Sequence, residues 1–252
     1  MIVVNDLLKI YPNNCKALDG ISFRVEQGEV CGYLGANGAG KSTTIKILIG
    51  MLSCDAGNVQ LSGINVFEKP QSVKKIIGYV PESGAIFQSL TPYDFLEFVS
   101  RIYDLDKPVF ERRIYDFMEM FDLKNEVRSP MSEFSKGMRQ KVLIISSLIH
   151  NPDIIFWDEP LSGVDLNTNL LIRNLVKELS SKGKTFFYSS HVLDMVEKIC
   201  TKVIILDHGR IVYDNSLNKE SNLSLEGLFR KYVDINTSGV SVSDIYKNSL
   251  KQ

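Results

Sequence analysis

The chain has almost no net charge: 29 Lys plus Arg meet 30 Asp plus Glu, leaving −1. That balance excludes a nucleic-acid binder whose affinity comes from bulk positive charge, and no nucleic-acid partner is expected. Its four cysteines, Cys15, Cys31, Cys54 and Cys200, form no Cys-x-x-Cys pair. A disulfide framework or a zinc site is therefore not indicated, and a reducing compartment is the default. Long apolar runs are absent too. The longest strongly apolar stretch lies near residues 142–149, interrupted by Ser146 and Ser147, far short of the roughly 18 residues a membrane-spanning helix needs. The first residues lack the basic start and longer apolar core of a signal peptide, and no repeat or low-complexity tract is visible. What is present is ordinary for a globular chain. The 252 residues are 44% hydrophobic and 23% charged, enough for one large domain or two small ones.

Residues 2–4 and 7–11 are β-prone, and Pro12-Asn13-Asn14 is a turn cluster. Residues 18–25 alternate apolar and polar, as a half-buried strand does. Val30-Cys31-Gly32-Tyr33-Leu34 runs into a glycine-rich loop, and residues 41–51 then read as a helix with Ile45, Leu48, Ile49 and Leu52 on one face. Buried-strand candidates follow at residues 76–80, 154–157, 185–188 and 203–206. Helical patterns separate most of them, which argues for an α/β fold with a mostly parallel sheet. From Thr91 to Ile149 the pattern is helical throughout: Phe95, Phe98, Val99 and Ile102 recur at helical spacing, as do Ile114, Phe117, Met118 and Phe121. The stretch reads as a helical insertion. Near the end, Leu225, Leu228, Phe229 and Tyr232 mark one short amphipathic helix.

Gly35-Ala36-Asn37-Gly38-Ala39-Gly40-Lys41-Ser42 fits G-x-x-x-x-G-K-[ST], the phosphate-binding loop. Glycines let successive backbone N–H groups turn inward around a phosphate. The helix that follows presents unpaired N–H groups and a favourable dipole to the anion. Lys41 would bridge the β- and γ-phosphates, and Ser42 would offer its hydroxyl to Mg²⁺. Ile154-Ile155-Phe156-Trp157-Asp158-Glu159 is an apolar strand ending in two acids. Buried parallel strands deliver their carboxyl ends to the ligand crevice. There Asp158 would hold Mg²⁺ through water, and Glu159 would polarise the water that attacks the γ-phosphate.

Phe134-Ser135-Lys136-Gly137-Met138-Arg139-Gln140 lies shortly before that strand and leads into the apolar helix at residues 142–149. It resembles the LSGGQ signature of ATP-binding-cassette (ABC) ATPases, with Ser135 and Gly137 matching. Taken alone, Ser135 reads equally well as a helix N-cap. The order of phosphate loop, signature and acidic strand is that of the family, and the resemblance covers residues 1 to about 233. It implies further site residues. Tyr11 matches the aromatic that stacks on adenine, or is an edge-strand core tyrosine; Thr43 follows Ser42 in the loop. Leu161-Ser162-Gly163-Val164-Asp165 resembles the D-loop, with Asp165 as its acid. His191, after Ser189-Ser190, matches the switch histidine that contacts the γ-phosphate. Glu82, in Val80-Pro81-Glu82, falls where the family has the Q-loop glutamine; a carboxylate there could still bind the metal while adding negative charge beside the phosphates.

The resemblance implies a phosphate-loop NTPase core with an N-terminal antiparallel β subdomain and an inserted helical subdomain. The core and β subdomain would span residues 1–90 and 151–220, the helical subdomain with the signature 91–150, and a tail 221–252. It implies ATP and Mg²⁺ as ligands. It also implies a head-to-tail pair, a homodimer or two related ATPase subunits, in which each nucleotide meets one chain's phosphate loop and the other's Ser135 and Gly137. Pro81-Glu82, the signature stretch Phe134-Ser135-Lys136-Gly137-Met138-Arg139-Gln140 and the late Leu225-Glu226-Gly227-Leu228-Phe229 look most like the ATPase subunits of type-2 exporters, whose permease is a separate chain. The subunit would then sit on the cytoplasmic face of the cell membrane. Phe87, Phe95 and Phe98 are candidates for the contact surface, or for the core. The alternatives are a non-transport ABC ATPase, which usually carries long coiled coils or two cassettes, and an unrelated phosphate-loop kinase or GTPase, which leaves the signature stretch unexplained.

Overall fold

The computed structural model describes residues 1–82, 89–161, 163–190, 193–217 and 224–233. Two sheets organise them. The first is antiparallel, in the order β2-β1-β4-β5: β1 (Ile2–Ile10), β2 (Lys16–Val25), β4 (Ala56–Leu61) and β5 (Ile64–Asn65). The two β-prone segments of the first eleven residues form one strand with a bulge. Asp6 sits at φ 48°, the register slips between Val4 and Leu7, and the Asp6 N–H donates to Ser22 Oγ at 2.8 Å. The side chain of Ser22 thus replaces the ladder bond that the extra residue removes.

The second sheet has six strands in the order β10-β9-β3-β8-β7-β6. They are β3 (Val30–Gly35), β6 (Ile77–Val80), β7 (Ile154–Asp158), β8 (Thr185–Ser189), β9 (Lys202–Asp207) and β10 (Arg210–Ser216). Every neighbouring pair is parallel except β9 with β10. Its inner strands are apolar on both faces because both are covered. Ile155, Trp157, Phe186 and Tyr188 belong to one buried cluster; Ile154, Phe156 and Phe187 belong to a second cluster, which includes the antiparallel sheet. The alternation of Cβ atoms along a strand assigns consecutive residues to opposite clusters.

Helix α1 (Lys41–Leu48) follows β3 and is shorter than the expected 41–51. Ile49 caps it and Gly50 takes φ 73°, the left-handed residue that commonly ends a helix. Helix α2 (Pro70–Ile76) precedes β6. Between β6 and β7 come α3 (Pro92–Ile102), α4 (Lys107–Met120), two single 3-10 turns and α5 (Lys136–Leu148). The apolar face expected on α3 is corrected here: Tyr93, Leu96 and Ser100 are buried, while Phe98 and Ile102 are 54% and 58% exposed. Phe95 and Val99 are only partly buried. The helix is apolar around most of its circumference, so periodicity alone did not select the stripe that faces inward. Tyr93 does so by packing edge-on against Phe110 of α4. Ile114, Met118 and Phe121 are buried as their spacing indicates.

Helices α6 (Leu166–Ser181), α7 (Leu193–Ile199) and α8 (Leu225–Tyr232) complete the described elements. Leu225 of α8 is buried, and Tyr232 packs against Tyr213 of β10. Among the described residues no helix is long and apolar enough to cross a membrane.

Candidate functional site

The parallel register aligns the carboxyl ends of four strands. Tyr33 of β3 and Asp158 of β7 both pair with Ser189 of β8, and Val80 of β6 pairs with Trp157. The segments leaving these strands are the glycine loop, Pro81-Glu82, Glu159 and Ser190. Ligands bind at such an edge in open α/β sheets.

The loop from Gly35 to Ser42 turns through left-handed glycines. Gly38 has φ 81°, and Gly40, the N-cap of α1, has φ 112°. At Gly40 space also decides, since a Cβ there would lie 2.5 Å from the carbonyl oxygen of Ala17. The Lys41 ammonium reaches back over the loop, donating to the carbonyls of Gly35 at 2.7 Å and Ala36 at 3.1 Å. Burial pulls the Lys41 pKa below its ordinary value, and the charges of Glu159, Asp158 and Glu82 act against that fall. Tyr11 is tied to the start of α1 through its hydroxyl, 3.2 Å from Thr43 Oγ1.

Asp158 is 4% exposed and accepts a hydrogen bond on Oδ1 from the fully buried Ser189 hydroxyl. Glu159 takes φ 51°, a conformation that bulky residues seldom adopt, and its N–H donates to Ser189 O at 3.2 Å. Ser190 Oγ stands 3.5 Å from Glu159 Oε2.

These groups surround one cavity of about 770 Å³, within the range of small-molecule sites. Tyr11, Asn37, Gly38, Gly40, Lys41, Ser42, Thr43, Glu82, Asp158 and Glu159 all line it. Of the remaining loop residues named from the sequence, Gly35 ends β3, the Ala36 carbonyl holds Lys41, and the Ala39 carbonyl accepts from Gly209 N at 3.0 Å. They shape the loop from behind rather than lining the cavity. Sequence reasoning missed Lys16, Ala17, His208 and Gly209 on the cavity wall. A His-Gly turn after a buried strand was the only available signal for the last two. His191 and Ser162 lie outside the described residues, as does Phe87.

Ser135, Gly137 and Asp165 are not on the cavity wall. The start of α5 and the segment leading into α6 pack against each other instead. Ser135 caps α5 by accepting from Met138 N at 3.1 Å; Asp165 caps α6 by accepting from Thr168 N at 2.9 Å and from its hydroxyl. Lys141 of α5 stands 3.6 Å from Asp165. The hydroxyl and then the N–H of Thr168 pull the Asp165 carboxyl down to about 2.

Ser42 and Asp158 offer hard oxygen donors on one cavity, the donor type that Mg²⁺ takes. Among the described residues no group of three or more His, Cys, Asp or Glu side chains could hold a metal by itself. Mg²⁺ is usually bound by one or two protein oxygens together with phosphates and water.

Fold and loop together define an α/β nucleotide-binding protein of the phosphate-loop class. Residues 18–162 match the family model for the ABC transporter. The chain is 35% identical over 204 residues to the ABC transporter ATP-binding protein NatA of Bacillus subtilis (strain 168), covering 80% of this chain and 82% of NatA. It is 32% identical over 193 residues to Nod factor export ATP-binding protein I of Ralstonia nicotianae, covering 77% of this chain and 60% of that protein. A solved structure of an ATP-binding subunit of an ABC transporter superposes with a TM-score of 0.82 at 29% identity, covering 98% of both chains. The chain therefore belongs to the ABC transporter family, as an ATP-binding, ATP-hydrolysing subunit. Subunits of this family dimerise and work with transmembrane permeases.

Proposed function

We propose that this chain is the motor of an exporter: two cassettes close around two ATP molecules and drive a separate permease from the cytoplasmic face of the membrane. The observation that carries this reading is a division of labour. One cavity gathers the phosphate loop, Asp158 and Glu159, while Ser135 and Gly137 stand apart at the start of α5. A second cassette is needed to bring a signature to the γ-phosphate. Resemblance to a protein named for Nod factor export supports the direction of transport.

In this reading Tyr11 stacks on the adenine, and the loop N–H groups of residues 35–43 receive the phosphates. Lys41 lies between the β- and γ-phosphates. Ser42 and Asp158 hold Mg²⁺, with Glu82 beside them. Bound there, Mg²⁺ neutralises charge that develops on the phosphate oxygens. Glu159 orients a water and takes its proton as the water oxygen bonds to phosphorus and the bond to the ADP oxygen breaks. His191 contacts the γ-phosphate. Ser135, Gly137 and Asp165 serve the nucleotide of the partner cassette, the N-terminal dipole of α5 favouring the anion. The γ-phosphate then holds the pair shut until it is hydrolysed.

The test is a Glu159→Gln chain mixed with ATP and Mg²⁺. It should bind ATP, lose at least tenfold in hydrolysis, and pair on size-exclusion chromatography. Adding Ser135→Arg should leave ATP binding by the single chain intact and abolish the pairing. Unchanged turnover in Glu159→Gln removes that residue from its role, and pairing that survives Ser135→Arg removes the shared-site arrangement.

A further inference from the structure

We infer that Ser189 is a positioning residue for Asp158: its hydroxyl holds one carboxylate oxygen so that the other is presented to the divalent cation. The inference rests on the reading of Asp158 as the carboxylate on the metal side. Four observations support it. Positions 158 and 189 are partners in the β7–β8 register. The Ser189 hydroxyl donates to Asp158 Oδ1, and Ser189 is 0% and Asp158 4% exposed, so water does not compete for the bond. The Ser189 carbonyl accepts from Glu159 N at 3.2 Å, which ties the turn carrying both acids to the same residue. Asp158 also lines the nucleotide-sized cavity, while Ser189 does not.

An aspartate carboxylate rotates in a broad, two-fold well about its last torsion. A free carboxylate at the end of β7 would sample orientations in which neither oxygen points at the cation. A hydroxyl behind it removes that freedom and leaves Oδ2 for the metal side. Partners of metal ligands commonly contribute 10–100-fold to metal affinity in this way. The neighbouring hydroxyl lies beside the other acid: Ser190 Oγ stands 3.5 Å from Glu159 Oε2, at the limit of a hydrogen bond.

The experiment measures binding of a non-hydrolysable ATP analogue to the full chain by calorimetry, in EDTA and across a series of Mg²⁺ concentrations. Ser189→Ala and Ser189→Cys should raise the Mg²⁺ concentration for half-maximal tightening about tenfold, with metal-free affinity unchanged. Cysteine keeps nearly the volume of serine while replacing a good donor with a weak one; it carries the measurement if the alanine variant fails to fold. A Mg²⁺ midpoint like that of the unaltered chain overturns the inference, and so does a loss of the same size with and without Mg²⁺, which is what general damage to the strand would produce. Asp158→Asn separates the two levels. If it shifts the midpoint and the Ser189 variants do not, the positioning role alone falls. If it does not shift the midpoint, the metal reading of Asp158 falls and the inference with it.

Discussion

The backbone of Gly137 approaches that of Gly163 so closely that a Cβ at 137 would lie 2.7 Å from the Gly163 carbonyl oxygen. The start of α5 and the turn before α6 are thereby packed as one piece, and Lys136 covers Gly163 from the side. Two effects compete in Gly137→Ala. Alanine gains up to about 1 kcal/mol of helix propensity. Overpacking against a backbone atom that cannot swing away costs about 1–3 kcal/mol. The clash should win, lowering the melting temperature by a few degrees, while ATP binding by the single chain is retained. A thermal scan that shows stabilisation would mean the turn simply moves aside.

Lys41 is held over the phosphate loop by the carbonyls of Gly35 and Ala36, with the three carboxylates of Glu82, Asp158 and Glu159 on the same cavity. Lys41→Ala removes the cation held over the loop. Hydrogen bonds to charged groups contribute about 1.5–3 kcal/mol, so ATP affinity should fall by about 10–100-fold in a calorimetric titration. Equal affinity would show that the backbone donors alone hold the phosphates.

The sequence made the chemistry legible where one short segment carries a whole device. The glycine loop is such a case, because strand, turn and helix start are contiguous. The acidic end of β7 is another, since an unbroken apolar run already announces a strand covered on both faces. Devices built across strands were not legible. The contact of Ser189 with Asp158 depends on the β7–β8 register, which no local pattern encodes. The same holds for the Gly209 N–H on the Ala39 carbonyl. Strands β4 and β10 were missed for compositional reasons: β4 opens on Ala56-Gly57-Asn58, residues depleted in strands, and β10 is a polar edge carrying Arg210, Asp214 and Asn215. On α3 the pattern offered more apolar positions than the core could take.

Asp165 joins an N-cap to a depressed carboxyl. Asp165→Ala should cost about 1 kcal/mol, the usual worth of such a cap, whereas Asp165→Asn, which keeps an acceptor, should cost only a few tenths. The side chain is 58% exposed, so solvent screening trims the charge contribution. The sign of the pH effect follows from the lowered value. The extra stability is complete above the unfolded carboxyl range near 3.9 and is lost as pH falls toward about 2. Denaturant midpoints of the natural chain and the alanine variant should therefore converge between pH 4 and pH 2, using roughly the limits set by those values. A gap that stays constant would assign the effect to packing.

Trp157, the single tryptophan of the chain, is fully buried one residue before Asp158, and its indole N–H donates to Ser147 Oγ at 3.0 Å. Ser147 in turn donates to the Ile144 carbonyl at 2.7 Å, so its hydroxyl links α5 to the end of β7. Ser147→Ala strands a buried indole donor, which costs about 1–3 kcal/mol, or several degrees in melting temperature. Ser146→Ala is the matched control, because that hydroxyl donates only to the Leu143 carbonyl of its own helix; its effect should stay within about 0.5 kcal/mol. Tryptophan emission adds a local reading, since every photon comes from the residue next to Asp158. It should change in Ser147→Ala and not in Ser146→Ala. Equal melting temperatures and identical spectra for the two variants would show that the indole finds another partner and that α5 does not hold β7 through this bond.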